Sequence, residues 1–357
     1  MNILIFAGGS GTRLWPASRK SKPKQLLKFV GDDTLLQHTY KRVKKGNKVN
    51  QVFIATSNDY EAQIRKQLPS LPKTHYSLEP IRRNRGPALG LAVLIMNHFS
   101  NDKIFATAWA DDYIKQDKIY HDALNLGANY IKKNINSVVA IGIKPTSPHT
   151  GFCYIQTGHA ISQNKSIFTV NKFTKKPSQL EAKKYLASKN FVWNTGYFIS
   201  HTDHILNLYK QYRHEVFNLL MKIKPYIGTS KQIKMIAKYY KQMPDFDFEE
   251  IFNSHPKQLK AIKAKFDWAD IGRWSVIKDI QSKPKNNLVK GLTLSHQTEG
   301  TLIYNYNKNQ LVTTVHTKNL IIVVTPESVL VADKEKSEEL KDLISKIKAN
   351  PKLTKYL

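Results

Sequence analysis

The sequence predicts an α/β fold: a Rossmann-like, mixed but mostly parallel sheet flanked by helices, with a small β-rich module at the C-terminal end. Three observations support this. Strand-like and helix-like runs alternate through the first two-thirds of the chain, a Gly-rich loop follows the first apolar run directly, and beyond residue 287 short strands recur up to a terminal helix.

The strand-like runs are residues 3–6, 52–55, 75–78, 104–108 and 138–143, apolar or β-branched and short. Helical patterns separate them at 35–44, 59–67, 88–97 and 119–132. That rhythm gives parallel strands with crossover helices, and such sheets bind ligands beyond the carboxyl ends of their strands. From 151 to 266 the rhythm is less regular, with strands expected at 152–157, 167–173 and 191–199 and a Pro-led helix at 177–186. The polar break at 282–287 places a boundary near 285, which divides the chain into residues 1–285 and 286–357. The second part reads as strands at 289–294, 301–306, 310–316, 320–325 and 328–332, closed by a helix at 335–347, and resembles a β-helix. Modules of this kind often mediate assembly, so a homodimer is an expectation.

A hydrophobic fraction of 41% is enough for a core. No apolar run approaches the roughly 20 residues of a membrane span, and the N-terminal run is too short and Gly-rich for a secretory signal. A cytoplasmic location and no membrane partner are expected. The single cysteine, Cys153, excludes an intramolecular disulfide and reads as a small core residue. The 56 Lys+Arg against 27 Asp+Glu give a net charge of +29. This charge is dispersed, with short clusters at 41–48, 172–176 and 334–348 and no dominant block, so no specific nucleic-acid partner is expected. The field would draw in phosphorylated anions without specifying them.

Chemistry concentrates first in Ala7-Gly8-Gly9-Ser10-Gly11-Thr12-Arg13-Leu14-Trp15-Pro16. Three glycines in four positions let backbone N–H groups approach phosphate oxygens with no Cβ in the way. Arg13 adds a guanidinium and Lys24 a second cation. The spacing fits neither the P-loop nor the dinucleotide fingerprint.

Together with Ser18-Arg19 and Pro23-Lys24-Gln25, this loop resembles the signature of the mannose-1-phosphate guanylyltransferases. Further segments extend the resemblance over nearly the whole chain. Glu79-Pro80 with Arg83-Asn84 and Pro87 resembles the family's Glu-Pro…Arg-Asn-Thr-Ala-Pro. Ala110-Asp111 resembles Pro-Ala-Asp-His, and Trp268-Ala269-Asp270-Ile271-Gly272-Arg273-Trp274 resembles Trp-Ser-Asp-Val-Gly-Ser-Trp. Thr150-Gly151-Phe152, Phe173-Thr174-Lys175-Lys176-Pro177 and Trp193-Asn194-Thr195-Gly196 are similar to the sugar-side segments.

The resemblance implies transfer of GMP from GTP to mannose 1-phosphate, with pyrophosphate as the second product. Arg13, Lys24 and Asp111 would be catalytic. Ala7, Gly8, Gly9, Gly11 and Thr12 would cradle the nucleotide, with Glu79 reading guanine and Asn84 near base or ribose. Gly151, Lys176 and Asn194 would bind the sugar phosphate, and Asp111 with Asp270 would hold Mg²⁺. The chain departs from the family pattern at Asp112, Cys153, Lys175 and Asp245; Lys175 exchanges an acceptor for a donor. Those departures leave two alternatives open: another sugar 1-phosphate and nucleotide pair, or a nucleotide-sugar-binding paralog with impaired catalysis.

Overall fold

The computed structural model describes residues 1–9, 11–46, 49–161 and 166–357. Ser10 of the Gly-rich loop, and two positions of the basic cluster at 41–48, lie outside the described residues. The chain forms two compact units. One comprises Met1–Gly8, Tyr40–Trp109 and Ile114–Trp268; the other comprises Gly9–Thr39, Ala110–Tyr113 and Ala269–Leu357.

The first unit is built on a nine-stranded sheet. Its strands are β1 (Asn2–Phe6), β2 (Val52–Ser57), β3 (Tyr76–Glu79), β4 (Ile104–Trp109), β6 (Val138–Ile143), β7 (Tyr154–Ala160), β8 (Ile167–Phe173), β9 (Phe191–His201) and β10 (Leu259–Ala264). Two three-residue strands, β5 (Asp112–Ile114) and β11 (Trp268–Asp270), lie where the chain passes from one unit to the other. The sheet order is β3-β2-β1-β4-β9-β6-β10-β8-β7. Strands β3, β2, β1 and β4 are parallel, as is the β6–β10 pair, whereas β9 runs antiparallel to both β4 and β6. Strand β7 is antiparallel to β8 and β9, and β8 to β10, so the sheet is mixed as expected, with a parallel core at β3-β2-β1-β4. Strand β10 went unrecognised in the sequence because its Leu-Lys-Ala-Ile-Lys-Ala pattern breaks the apolar run with lysines.

The helices are α1 (Leu35–Lys44), α2 (Asn58–Gln67), α3 (Arg85–Phe99), α4 (Asp117–Lys133), α5 (Gln179–Ala187), α6 (Thr202–Tyr212), α7 (His214–Ile223), α8 (Gln232–Tyr240), α9 (Glu250–Ser254), α10 (Trp274–Gln281) and α11 (Leu340–Ala349). Helix α3 is buried continuously from Gly86 to Met96, as expected of a helix apolar on every side. It begins three residues earlier than the apolar pattern suggests, after Asn84, whose φ of 53° turns the chain. Helix α5 starts beyond Pro177 at a capping box: the Ser178 hydroxyl accepts from the Glu181 N–H, and the Glu181 carboxylate accepts from the Ser178 N–H.

The second unit combines the Gly-rich loop with the C-terminal coils. Strands β12 (Leu288–Lys290), β14 (Leu302–Asn305) and β16 (Leu320–Val324) stack in parallel, as do β13 (Thr293–His296) and β15 (Val312–Val315). Strand β17 (Val329–Asp333) closes the stack antiparallel to β16. This is the β-helix-like arrangement the short strands suggested. The run at 289–294 is split, because Gly291 takes a φ of +91° against the backbone of Asn305. The compact division also differs from a single boundary near 285. Leu14, Trp15 and Phe29 share one apolar core with Trp274, Tyr304, Val323 and Ile344, so the loop belongs to the same compact unit as the coils.

Candidate active site

In the second unit the loop is tied down by its own backbone. Gly11 has a φ of +64°, and a Cβ there would land inside the Lys24 side chain. The Gly11 carbonyl accepts from the Ser18 hydroxyl at 2.5 Å and from the Leu14 N–H at 3.0 Å. Trp274 Nε1 donates to the Trp15 carbonyl at 3.0 Å, which fixes the loop's far end on the core.

Lys24 follows in a short turn and is 7% exposed. Its Nζ makes an ion pair with Asp111, approaches Asp270 Oδ1 at 3.4 Å and donates to the Ile271 carbonyl at 3.1 Å. Burial alone would depress its pKa, but Asp111 and Asp270 together outweigh that and raise it. Burial likewise opposes ionisation of Asp270, and Lys24 and Arg13 overcome it to hold the carboxyl below the usual range. Arg13 Nη2 and both Asp270 oxygens lie within 3.4 Å of the position a Cβ on Gly272 would take, so the glycine keeps this approach open. Arg273 adds a third cation, ion-paired to Glu338, with its pKa lowered by burial and by Arg13. Three cations thus gather around two carboxylates, which suits a polyphosphate.

In the first unit Gly8 lies just beyond β1 and Glu79 ends β3, and Glu79 Oε1 lies 3.8 Å from where a Gly8 Cβ would stand. The Tyr240 hydroxyl donates to Glu79 Oε2 at 2.6 Å. Burial pushes the Glu79 carboxyl up to about 7, against the opposing pull of Tyr240 and Arg82. Asn84 caps no helix N–H, and its left-handed backbone places it at the start of α3.

Of the residues expected on the sugar side, Asn194 contacts Cys153 directly. The Asn194 N–H donates to the Cys153 carbonyl at 2.9 Å, and Asn194 Oδ1 accepts from Gly196 N–H at 3.1 Å. The Gly151 N–H donates to His149 Nδ1 at 3.0 Å. Burial raises the Cys153 thiol to about 11, and Glu249, Arg85, Lys176 and Asp247 all act on it electrostatically. Lys175 and Lys176 are both exposed.

Residues 2–287 match the family model described as "Nucleotidyl transferase". A mannose-1-phosphate guanylyltransferase of Salmonella typhimurium is 31% identical, over 97% of this chain and 73% of its own length. Another, from Escherichia coli, is 29% identical over 99% of this chain and 75% of its own. The chain belongs to the mannose-1-phosphate guanylyltransferase family. Its fold agrees: a Thermus thermophilus structure described as a mannose-1-phosphate geranyltransferase superposes with a TM-score of 0.86 at 25% identity, covering 97% of this chain and 99% of that one. As a member of the mannose-1-phosphate guanylyltransferase family, the protein is a nucleotidyltransferase acting on a sugar phosphate.

Four residues beside these groups escaped the sequence reading: Arg85, Tyr240, Glu249 and Arg273. Arg85 Nε donates to Asp247 Oδ1 at 2.9 Å and its Nη1 to Glu249 Oε1 at 2.6 Å. The signal for Arg85 was a charge opening an otherwise apolar helix, where the guanylyltransferase pattern has threonine. Tyr240 gave no such signal, because a tyrosine in a Lys- and Tyr-rich helix looks like ordinary core.

Proposed function

We propose that the protein transfers GMP from GTP to mannose 1-phosphate, giving GDP-mannose and pyrophosphate. The observation that carries this reading is the convergence of Lys24, Asp111, Asp270 and Arg13 behind the Gly-rich loop. A phosphate oxygen of the sugar phosphate attacks the α-phosphorus, a new P–O bond forms in line, and the bond to the departing pyrophosphate breaks. A sugar phosphate is already an anionic nucleophile, so alignment and charge neutralisation suffice without a general base. Arg13 and Lys24 stabilise the triphosphate, Gly8, Gly9 and Gly11 give its oxygens access to backbone N–H groups, and Lys176 holds the attacking phosphate. Glu79 accepts from guanine N1–H and its exocyclic amine.

The donor set fits Mg²⁺, which favours one or two carboxylates completed by phosphate oxygens and water. Asp111 and Asp270 already converge on one cationic group, the Lys24 ammonium. Among the described residues no cluster of three or more His, Cys, Asp or Glu could hold a metal by itself, so substrate would complete the shell. Bound there, the ion supplies neutralisation of phosphoryl charge.

Purified protein with GTP, mannose 1-phosphate and Mg²⁺ is expected to release pyrophosphate, and chelation to stop it. Asp111→Asn should lower turnover by about 100-fold or more with the fold intact, in line with the loss of one charge-stabilising group. Near-normal turnover by that variant would sink the assignment. One observation favours a second reading: exposed Lys175 stands where the family has an acid, so other sugar 1-phosphates and triphosphates belong in the same assay.

A further inference from the structure

Lys175 removes an acceptor from the sugar side, and another carboxylate, Asp247, is held in place by Arg85. Asp247 precedes α9, and its side chain is 40% exposed. Arg85 Nε holds one of its oxygens at 2.9 Å, while the Asp247 N–H donates to Glu250 Oε1 at 3.0 Å. Arg85 is itself anchored from behind by Glu249, whose side chain is only 7% exposed, and its guanidinium lies 5.4 Å from the centre of the Trp109 ring. Glu249 is therefore committed to Arg85, whereas Asp247 keeps open lone pairs on an accessible carboxylate, which offers about four acceptor sites. Burial opposes its ionisation, yet Arg85 and then Lys176 hold it below the usual carboxylate range, so it is charged at neutral pH. The same Trp109 ring lies against Gly196, whose N–H is held by Asn194 Oδ1, so the Arg85–Asp247 pair adjoins the segment read as contacting the sugar, and Lys176 acts on Asp247 electrostatically.

Asp247 aligns with the aspartate of the family's Ile-Asp-Tyr, and its anchor is what differs in this chain. Arg85-Gly86 stands where the family has Thr-Ala, and a Cβ on Gly86 would fall within 2.6 Å of atoms of the Phe246 ring, next to Asp247.

We propose that Asp247 accepts a hydrogen bond from a hydroxyl of the sugar 1-phosphate, that Arg85 positions it, and that together they restore the acceptor lost at Lys175. This rests on the reading of Lys176 as the holder of the sugar phosphate. Asp247 is a specificity-determining residue, because a site built to pair with one hydroxyl rejects analogues that lack it. Arg85 acts only through Asp247.

The test compares wild type and Asp247→Ala on mannose 1-phosphate and its single-deoxy analogues, with pyrophosphate release and melting both followed. Asp247→Ala should lower kcat/KM for mannose 1-phosphate by about 10- to 100-fold, the loss of one hydrogen bond to a charged group, and leave the KM for GTP unchanged. One deoxy analogue should lose as much on wild type and little further on the variant. If every analogue suffers the same relative loss on both proteins, Asp247 contacts no hydroxyl and the proposal is wrong. Arg85→Met with Glu249→Gln removes the anchor without stranding a buried charge; it should reproduce the same analogue-specific loss, and adding Asp247→Ala should change little more. Additive losses would overturn the positioning role. If Asp247→Ala melts too low to assay, isosteric Asp247→Asn should show the same analogue pattern at smaller amplitude. Wild type that uses no sugar 1-phosphate would overturn the underlying reading, whereas wild type impaired by Lys176→Ala but indifferent to Asp247→Ala overturns this inference alone.

Discussion

Glu79 shows how one buried carboxyl links burial to pH. Its folded pKa of about 7 lies above the ordinary 4.5. The neutral form therefore contributes stability that is complete below the unfolded value and is lost as pH rises through about 7. In its proposed role, accepting from both N–H donors of guanine, the carboxyl has to be ionised. Affinity for GTP is accordingly expected to rise between about pH 6 and about pH 8, and Glu79→Gln should bind about 10-fold more weakly with a flat profile. A titration calorimetry series in which both proteins show the same pH dependence would remove Glu79 from base recognition. Lys24 has the opposite balance. Two carboxylates hold it protonated despite its burial, so it stays a cation throughout that range.

At the scale of elements, the junction of α3 with the segment before α9 is tightly set. Gly86 is the second residue of α3, and its N–H donates to the Phe246 carbonyl at 3.0 Å while its Cα faces the Phe246 ring. Alanine would gain about 1 kcal/mol of helix propensity. It would also have to displace a ring that is only 5% exposed, and overpacking of this kind costs about 1–3 kcal/mol. Overpacking wins, so Gly86→Ala should lower the melting temperature by a few degrees, and adding Phe246→Leu should restore most of it. Melting curves decide the matter; an unchanged Gly86→Ala midpoint would mean the ring yields freely.

Over the whole molecule, the C-terminal coils share a core with the Gly-rich loop. Tyr304 donates to the Phe29 carbonyl at 2.7 Å, Trp15 Nε1 donates to the Tyr356 carbonyl at 2.8 Å, and Leu302, Val323 and Ile344 pack in the same core as Leu14 and Trp15. Each such buried side chain contributes about 1.5–3 kcal/mol. Removing residues 286–357 should therefore abolish activity and leave Leu14, Trp15 and Phe29 uncovered, which proteolysis of the loop and loss of soluble protein would report. A fully active truncated protein would contradict this. Among the described residues no helix is long and apolar enough to cross a membrane.

The sequence by itself determined the alternation of strands and helices, the Gly-rich loop and the chemical types at Arg13, Lys24, Glu79, Asp111 and Asp270. Those signals are local: period, β-branching and glycine placement act over a few residues of backbone. Only the tertiary structure decided which charges meet. Lys24 reaches Asp270 across 246 positions, and Arg85 reaches Asp247 across 162. It also decided that the Gly-rich loop shares a core with the C-terminal coils, where linear reading placed a single boundary near 285. The physical reason is that desolvation and pairing depend on what surrounds a group in space. A glutamate at a strand end reads the same whether exposed or buried, and burial is what moves Glu79 to about 7, against the pull of the Tyr240 hydroxyl.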